Sequence, residues 1–415
     1  MKSITPSQID GSARAPPSKS MTVRAIAAAS LVPDSLTFIS NPSKCDDAQA
    51  ARSIVETLGS ASWEEKGMLA ISNEGVQKGS TLECGESGLC IRLFPFIAAL
   101  KSGKFTFNAS GSLLKRKVGM VEGPLSELGA KCTTSGGFPP LSVRGPIKGG
   151  KITVDGSESS QHITGLLMAL PLCENDSVLN VLNPKSKPYI SMTLELLDFY
   201  GIRIAHDETM RKFTVKGRQE YDPRASPYEV EGDWSGAAFI LVAGAVAGSA
   251  EVSGLRQDSL QADKAITEAI MLAGANLTLG KSSAMAEKCA LKAFEFDAAE
   301  CPDLFPPLAA LAANCSGTSV IHGAKRLKGK ESDRASALVQ EFAKLGIKIT
   351  VEGDEMKITG GKIRAAEVDS HNDHRIAMAA AAAALNASGE VKIQNPECVS
   401  KSYPGFFRDL EGLMS

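Results

Sequence analysis

Basic residues recur at matched points along this chain: Lys19, Arg24, Arg92, Lys115, Arg116, Lys117, Lys330, Arg334, Arg375 and Lys401. A lone surface lysine or arginine is ordinarily solvated. These stand beside short polar stretches that open apolar helical runs, always at the same phase. Arginine pairs through two parallel N–H groups with phosphate or carboxylate. Such a set suits two strongly anionic small molecules. Two carboxylates accompany it. Asp303 follows Cys301-Pro302, and Glu331 lies in Lys330-Glu331-Ser332-Asp333-Arg334. Asp303 reads equally as a plain helix N-cap or as an acid/base group, and Glu331 as a solvated helix-start charge or as an acid/base group. Neighbouring cations favour ionised carboxylates and burial favours neutral ones. His374 reads as a core histidine or as a phosphate contact.

The elements that position these residues repeat. Amphipathic runs end at Gly59, Gly129, Gly201, Gly274 and Gly346, at intervals of 70, 72, 73 and 72 residues. Glycine after an apolar helical run is a helix C-terminal signal, because it takes the left-handed cap without strain. A sixth run covers Phe406 to Met414. Between them lie Ala-rich segments, apolar all round, that predict buried helices: Met21–Val32, Gly88–Leu100, Gln161–Leu172, Trp234–Ala247, Asp303–Ala313 and Arg375–Leu385. Strand-like runs flank them at Leu36–Ile39, Phe105–Phe107, Lys151–Val154 and Lys348–Val351. The polar starts of the buried helices include Ser18-Lys19-Ser20, Glu86-Ser87-Gly88, Ser159-Ser160-Gln161, Gly232-Asp233-Trp234 and Asn372-Asp373-His374. Helix N-termini carry free amides and a positive dipole end, so converging starts make an anion site.

Bulk properties narrow the class. A length of 415 residues predicts more than one domain. A net charge of −2 gives no global reason to bind nucleic acid or an anionic membrane. No run is long and apolar enough to span a bilayer, and Met1–Asp10 lacks the apolar core of a secretory signal, so a cytoplasmic protein is expected. Nine scattered cysteines without a CxxC pair, and only five histidines, predict reduced thiols and no metal site. Walker loops, Rossmann glycine fingerprints and GxSxG elbows are missing from the sequence.

The ordered motifs resemble the EPSP synthases, a family of enolpyruvyl transferases. Pro17-Ser18-Lys19-Ser20 with Arg24, Lys115-Arg116, Ser159-Ser160-Gln161 and Ser186-Lys187-Pro188-Tyr189 carry the resemblance in the first half. Lys330-Glu331-Ser332-Asp333-Arg334, Asn372-Asp373-His374-Arg375 and Lys401 before Ser402-Tyr403-Pro404 carry it in the second. The resemblance implies an α/β enolpyruvyl transferase fold of two similar domains, each of three βαβαββ-type units of about 70 residues. It places one domain at residues 14–228 and the other at 1–13 plus 229–415, with hinge crossovers near 12–15 and 225–230.

The implied reaction is carboxyvinyl transfer from phosphoenolpyruvate to the 5-hydroxyl of shikimate 3-phosphate, with phosphate leaving through a tetrahedral intermediate. Lys19 and Glu331 are the implied acid/base groups, and Asp303 orients or deprotonates the hydroxyl. Phosphoenolpyruvate would be held by Lys19, Gly88, Arg116, Gln161, Arg334, Arg375 and Lys401. Shikimate 3-phosphate would be held by Ser20, Arg24, Ser159, Ser160, Gln161, Ser186, Tyr189, Asp303 and Lys330. No metal and no organic cofactor is implied, and the partners are these two small molecules, met by a monomer without nucleic acid or membrane.

The chain departs from the family's Asn-Ala-Gly-Thr-Ala-x-Arg-Pro segment, reading Glu86-Ser87-Gly88-Leu89-Cys90-Ile91-Arg92-Leu93. Glu86 puts a carboxylate where an amide is usual, which weakens anion binding unless a neighbouring cation offsets it. Leu89 and Leu93 replace Thr and Pro, which implies altered sensitivity to the inhibitor glyphosate. Arg326 stands where some members carry Asn, and Lys117-Val118 replaces the proline after Arg116, implying a looser loop. UDP-N-acetylglucosamine enolpyruvyl transferases share the fold but carry a reactive cysteine in a mobile loop, and Gly111–Gly119 has none. A non-catalytic repeat scaffold would explain the periodicity but not the polar residues at the helix starts.

Overall fold

Gly59, Gly129, Gly201, Gly274 and Gly346 all adopt positive φ, between 77° and 118°, in the computed structural model, which describes residues 1–73 and 75–415. Each closes a helix or follows its last turn, as the spacing predicts. The helices in chain order are α1 (Lys19–Ala29), α2 (Asp46–Leu58), α3 (Gly88–Ala98), α4 (Glu122–Glu127), α5 (Gln161–Ala169) and α6 (Lys187–Phe199). They continue as α7 (Trp234–Ala247), α8 (Ile266–Leu272), α9 (Phe305–Ala313), α10 (Arg334–Lys344), α11 (His374–Ala384) and α12 (Phe406–Glu411).

Odd-numbered helices are the buried ones. Every residue of α3, α7, α9 and α11 is buried, as their all-round apolarity requires. Even-numbered helices keep one wet face. In α2 the buried positions Ala48, Ala51, Ile54, Val55 and Leu58 recur at helical spacing.

Two compact units form, one of Pro17–Val230 and one of Met1–Pro16 with Glu231–Ser415. The first unit has three four-stranded sheets, each with one parallel and two antiparallel pairings. The clearest joins Thr81–Glu83 parallel to Gly103–Asn108, which pairs antiparallel with Phe138–Gly145 and through it with Lys131–Ser135. With α3 and α4 between these strands, the order is βαβαββ. Lys151–Asp155, Ser177–Leu182, Lys212–Val215 and Ile204–His206 repeat it around α5 and α6. The sheet of the first repeat borrows its parallel strand, Tyr228–Glu229, from the far end of the unit. Phe94, Phe96, Phe105, Phe107 and Phe213 fill the core among the three buried helices.

The second unit follows the same plan. Glu295–Asp297, Thr318–His322, Glu355–Thr359 and Lys348–Glu352 make one sheet. The chain's first strands complete the other two. Ile9–Arg14 lies parallel to Gly248–Ser253, and Lys2–Ile4 lies antiparallel to Val391–Gln394. Trp234, Phe239 and Phe305 anchor its core. Four predicted strand runs appear within Leu36–Ser40, Gly103–Asn108, Lys151–Asp155 and Lys348–Glu352.

Candidate active site

In the unit of Pro17–Val230, the first two turns of five helices meet through side chains. Ser18 caps α1 by accepting from Met21 N at 3.4 Å, which makes Lys19 the first helical residue. Lys19 Nζ lies 3.1 Å from Asp47 Oδ2, in the first turn of α2. Arg24, one turn further along α1, is 1% exposed. Its Nε donates to Thr193 Oγ1 of α6 at 3.0 Å, and Nη2 donates to Thr164 Oγ1 of α5 at 3.3 Å and Tyr189 O at 3.4 Å. Nη1 reaches Ser20 O at 3.0 Å. All of these acceptors are neutral oxygens. Burial pulls the guanidinium down to about 10, so it stays charged at neutral pH. Ser20 and Tyr189 thus join the cluster through their carbonyls.

A second focus lies at the start of α3. Ser87 caps the helix through Cys90 N, and Gly88 is its first residue. A methyl group at Gly88 would come within 2.9 Å of the guanidinium nitrogens of both Arg92 and Arg116. Only a glycine lets two guanidiniums lie this close to the backbone. Arg92 is steadied by neutral acceptors: Gln161 Oε1 at 2.8 Å, Lys117 O at 2.8 Å and Gly88 O at 3.2 Å. Two neighbouring guanidinium charges favour an anion between them. Ser159 accepts from Gln161 N at 3.1 Å and so starts α5. Buried Ser160 accepts Thr164 N through its carbonyl. Ser186, also buried, takes left-handed dihedrals, φ 53° and ψ 45°, at the start of α6.

Two departures from the family pattern lie in this region. The Glu86 carboxylate meets neutral donors of Ser112. Its Oε2 accepts from both the amide and the hydroxyl of Ser112, each at 2.7 Å. The segment after Arg116 is tied to its neighbours. Lys117 O accepts from Arg92, while Val118 N and Gly119 N both donate to Gly137 O. Leu89 and Leu93 are packed in the core of the unit.

In the unit holding α7–α12, one buried arginine gathers three carboxylates. Arg334, the first residue of α10, is 1% exposed. It donates to Asp303 Oδ1 at 2.7 Å, Glu331 Oε2 at 2.6 Å and Asp373 Oδ2 at 2.8 Å. Asp303 also accepts from Lys330 Nζ at 3.2 Å and Arg375 Nη2 at 3.1 Å. Lys401 Nζ donates to Asn372 O at 2.7 Å. Burial opposes the charge on Arg334, but Asp373, Glu331 and Asp303 outweigh it and hold the guanidinium well above the ordinary arginine value. Burial, aided by the positive charge of Arg334, pulls Lys330 below the ordinary lysine value against the attraction of Asp303.

The plain N-cap reading of Asp303 does not hold. Pro302–Leu304 is a 3₁₀ turn, α9 begins at Phe305, and the Asp303 carboxylate is engaged by three cations. Glu331 is not a solvated charge either, its side chain being 15% exposed and locked on Arg334. His374 is buried at the start of α11, as the core reading has it.

Important partners escaped the sequence reading. Asp47, Thr164, Thr193, Ser112 and Asp263 come from other elements, and only the fold brings them to the motif residues. Asp263 accepts from Ser235 Oγ; burial first, then the charge of Asp303, pushes its carboxyl up to about 6. Asp373 was visible as a polar helix start. Its double duty, capping α11 through Arg375 N and bracing Arg334, was not. Among the described residues no cluster of His, Cys, Asp and Glu is arranged to hold a metal, and no helix is long and apolar enough to cross a membrane.

Comparison with known proteins shows the family. A family model described as EPSP synthase (3-phosphoshikimate 1-carboxyvinyltransferase) matches residues 4–410. The chain is 36% identical over 423 residues to the 3-phosphoshikimate 1-carboxyvinyltransferase of Halobacterium salinarum, covering 99% of this chain and 98% of that protein. It is 38% identical over 417 residues to the protein of the same name from Clostridium perfringens, covering 99% and 97%. The solved EPSP synthase of Acinetobacter baumannii superposes with a TM-score of 0.82 at 25% identity, covering 99% and 98%. The chain belongs to the EPSP synthase family.

Proposed function

We infer that the chain transfers the carboxyvinyl group of phosphoenolpyruvate to the 5-hydroxyl of shikimate 3-phosphate, releasing phosphate, in aromatic amino acid biosynthesis. Membership of the family supports the reaction. The observation that carries the site assignment is the link Asp303–Arg334–Glu331. It puts two carboxylates on one buried guanidinium, with Lys330 and Arg375 beside them.

Phosphoenolpyruvate is held by Arg116 above the Gly88 backbone, by Gln161, Arg334, Arg375 and Lys401, and by Lys19. Shikimate 3-phosphate is held by Ser20, Arg24, Ser159, Ser160, Gln161, Ser186, Tyr189, Lys330 and Asp303. The 5-oxygen bonds to C2 of phosphoenolpyruvate as C3 gains a proton, which gives the tetrahedral intermediate. Loss of a C3 proton and of phosphate restores the double bond. Lys19 and Glu331 exchange the C3 proton, and Asp303 orients the hydroxyl or takes its proton. Fixed cations stabilise the developing charge without reorganising during the reaction.

The protein works in the cytoplasm as a monomer on these two small molecules, with no metal, organic cofactor or nucleic acid. Sensitivity to glyphosate is altered relative to enzymes with Thr and Pro at the positions of Leu89 and Leu93; an inhibition constant equal to that of a typical sensitive enzyme would count against this. The test of the whole assignment is mass detection of the carboxyvinyl ether formed from the two substrates. Product is expected with the native chain and lost with Lys19→Ala or Glu331→Ala. Undiminished product from both variants would remove these residues from the chemistry.

A further inference from the structure

Glu86 stands two residues before Gly88, and its carboxylate is turned onto the segment that carries Arg116. Oε2 accepts from Ser112 N and Ser112 Oγ, both at 2.7 Å. The carboxylate lies so flat on the backbone that a methyl at Gly111 would sit 2.4 Å from its carbon, and Gly111 has φ 52°. The same turn is tied elsewhere. Ser110 N donates to Gly85 O at 2.8 Å, and Arg116 N donates to Leu113 O at 3.0 Å. At its far end Arg92 Nη2 holds Lys117 O at 2.8 Å. The 3₁₀ turn Gly111–Lys115 is therefore fastened at both ends to the first turn of α3 and the residues just before it. Its last carbonyl leads directly into Arg116, whose guanidinium lies over Gly88.

We propose that Glu86 is a positioning residue: its clamp on Ser112 fixes the turn that presents Arg116 over Gly88, and so sets the affinity for the anionic donor substrate. The proposal rests on the assignment of Arg116 to phosphoenolpyruvate. A carboxylate beside an anion site would ordinarily repel the ligand. Here both donors of Ser112 engage Oε2, which directs the carboxylate onto the turn. The oxygen acceptor is the essential feature, and an amide oxygen at the same place would serve.

The test combines hydrogen exchange of the amides of residues 110–118, read by mass spectrometry on the free full-length chain, with steady-state kinetics. Glu86→Ala is expected to speed exchange in this segment about tenfold and to raise KM for phosphoenolpyruvate about tenfold, with kcat and KM for shikimate 3-phosphate changing far less. Glu86→Gln restores both readouts. Ser112→Ala, which keeps the amide donor and loses the hydroxyl, falls between and serves if Glu86→Ala does not fold. Exchange in Glu86→Ala and Ser112→Ala equal to that of the native chain would overturn the clamp. So would Glu86→Gln exchanging as fast as Glu86→Ala. Faster exchange with an unchanged KM for phosphoenolpyruvate would overturn the link to affinity. If the native chain forms no product from the two substrates, the functional assignment fails, while the exchange result still decides the clamp.

Discussion

Arg334 Nε donates to Asp373 Oδ2 at 2.8 Å, and both side chains are almost wholly out of water. This bond fastens the start of α10 to the start of α11, since Asp373 also caps α11 through Arg375 N. Arg334→Ala strands Asp373 and leaves Asp303 and Glu331 without their shared partner. Removing one member of a buried pair costs about 3–5 kcal/mol. Urea unfolding is expected to show a loss of that size. Arg334→Lys keeps a charge but cannot reproduce the three-way fork, so it should recover only part of the stability and little of the turnover. A native-like midpoint for Arg334→Ala would contradict the bracing role.

Lys19 owes its place to the Ser18 cap and to Asp47. The ammonium lies 3.1 Å from Asp47 Oδ2, across the first turns of α1 and α2. Lys19→Ala is expected to lower kcat about 10²–10⁴-fold, the range for loss of a positioned acid/base group. Asp47→Asn leaves the lysine in place with a weaker partner and should lower kcat by a smaller factor, about tenfold. Steady-state kinetics on both variants check the order. Asp47→Asn falling as far as Lys19→Ala would assign the chemistry to Asp47 itself.

Asp263 gives a pH signature of stability. Burial and the nearby Asp303 raise its carboxyl to about 6, above the unfolded value near 3.9. The folded state therefore binds this proton more tightly than the unfolded chain. Its favourable contribution is complete below about pH 4 and is lost as pH rises through about 6. Asp263→Asn, which resembles the protonated form, should be more stable than the native chain at pH 7.5 by on the order of 2 kcal/mol. The gap should close near pH 4.5. Thermal unfolding at both pH values measures it, and a gap independent of pH would contradict the buried titration.

Arg24 is held by neutral oxygens from α1, α5 and α6. That leaves its charge to an incoming anion. Arg24→Met should raise KM for shikimate 3-phosphate by about tenfold or more, through loss of a charge-assisted contact, and change KM for phosphoenolpyruvate less. Isothermal titration with shikimate 3-phosphate alone is the cleaner reading. Unaltered binding would remove Arg24 from the substrate set.

Much of the fold was legible because its signals are local. The five cap glycines lie one repeat apart, and each takes the left-handed conformation that its place at a helix end demands. Trp234–Ala247 is apolar all round and is buried throughout. Boundaries were less legible where proline tightens the chain, as at Pro302, whose 3₁₀ turn delays α9 by two residues. The motif residues were legible as types, and their partners were not. Thr193 meets Arg24 across 169 residues and Asp373 meets Arg334 across 39. No spacing rule joins residues so far apart, because the pairing is made by tertiary packing. Glu86 shows the same limit: the sequence shows its charge, and only the turn at Gly111–Ser112 shows where that charge is used.

The most direct measurement is phosphate release from phosphoenolpyruvate by purified protein, in parallel with shikimate 3-phosphate and with UDP-N-acetylglucosamine. Release that depends on shikimate 3-phosphate, and is missing with the nucleotide sugar, is the predicted result. Release with the nucleotide sugar alone, or with neither acceptor, would contradict the assigned reaction.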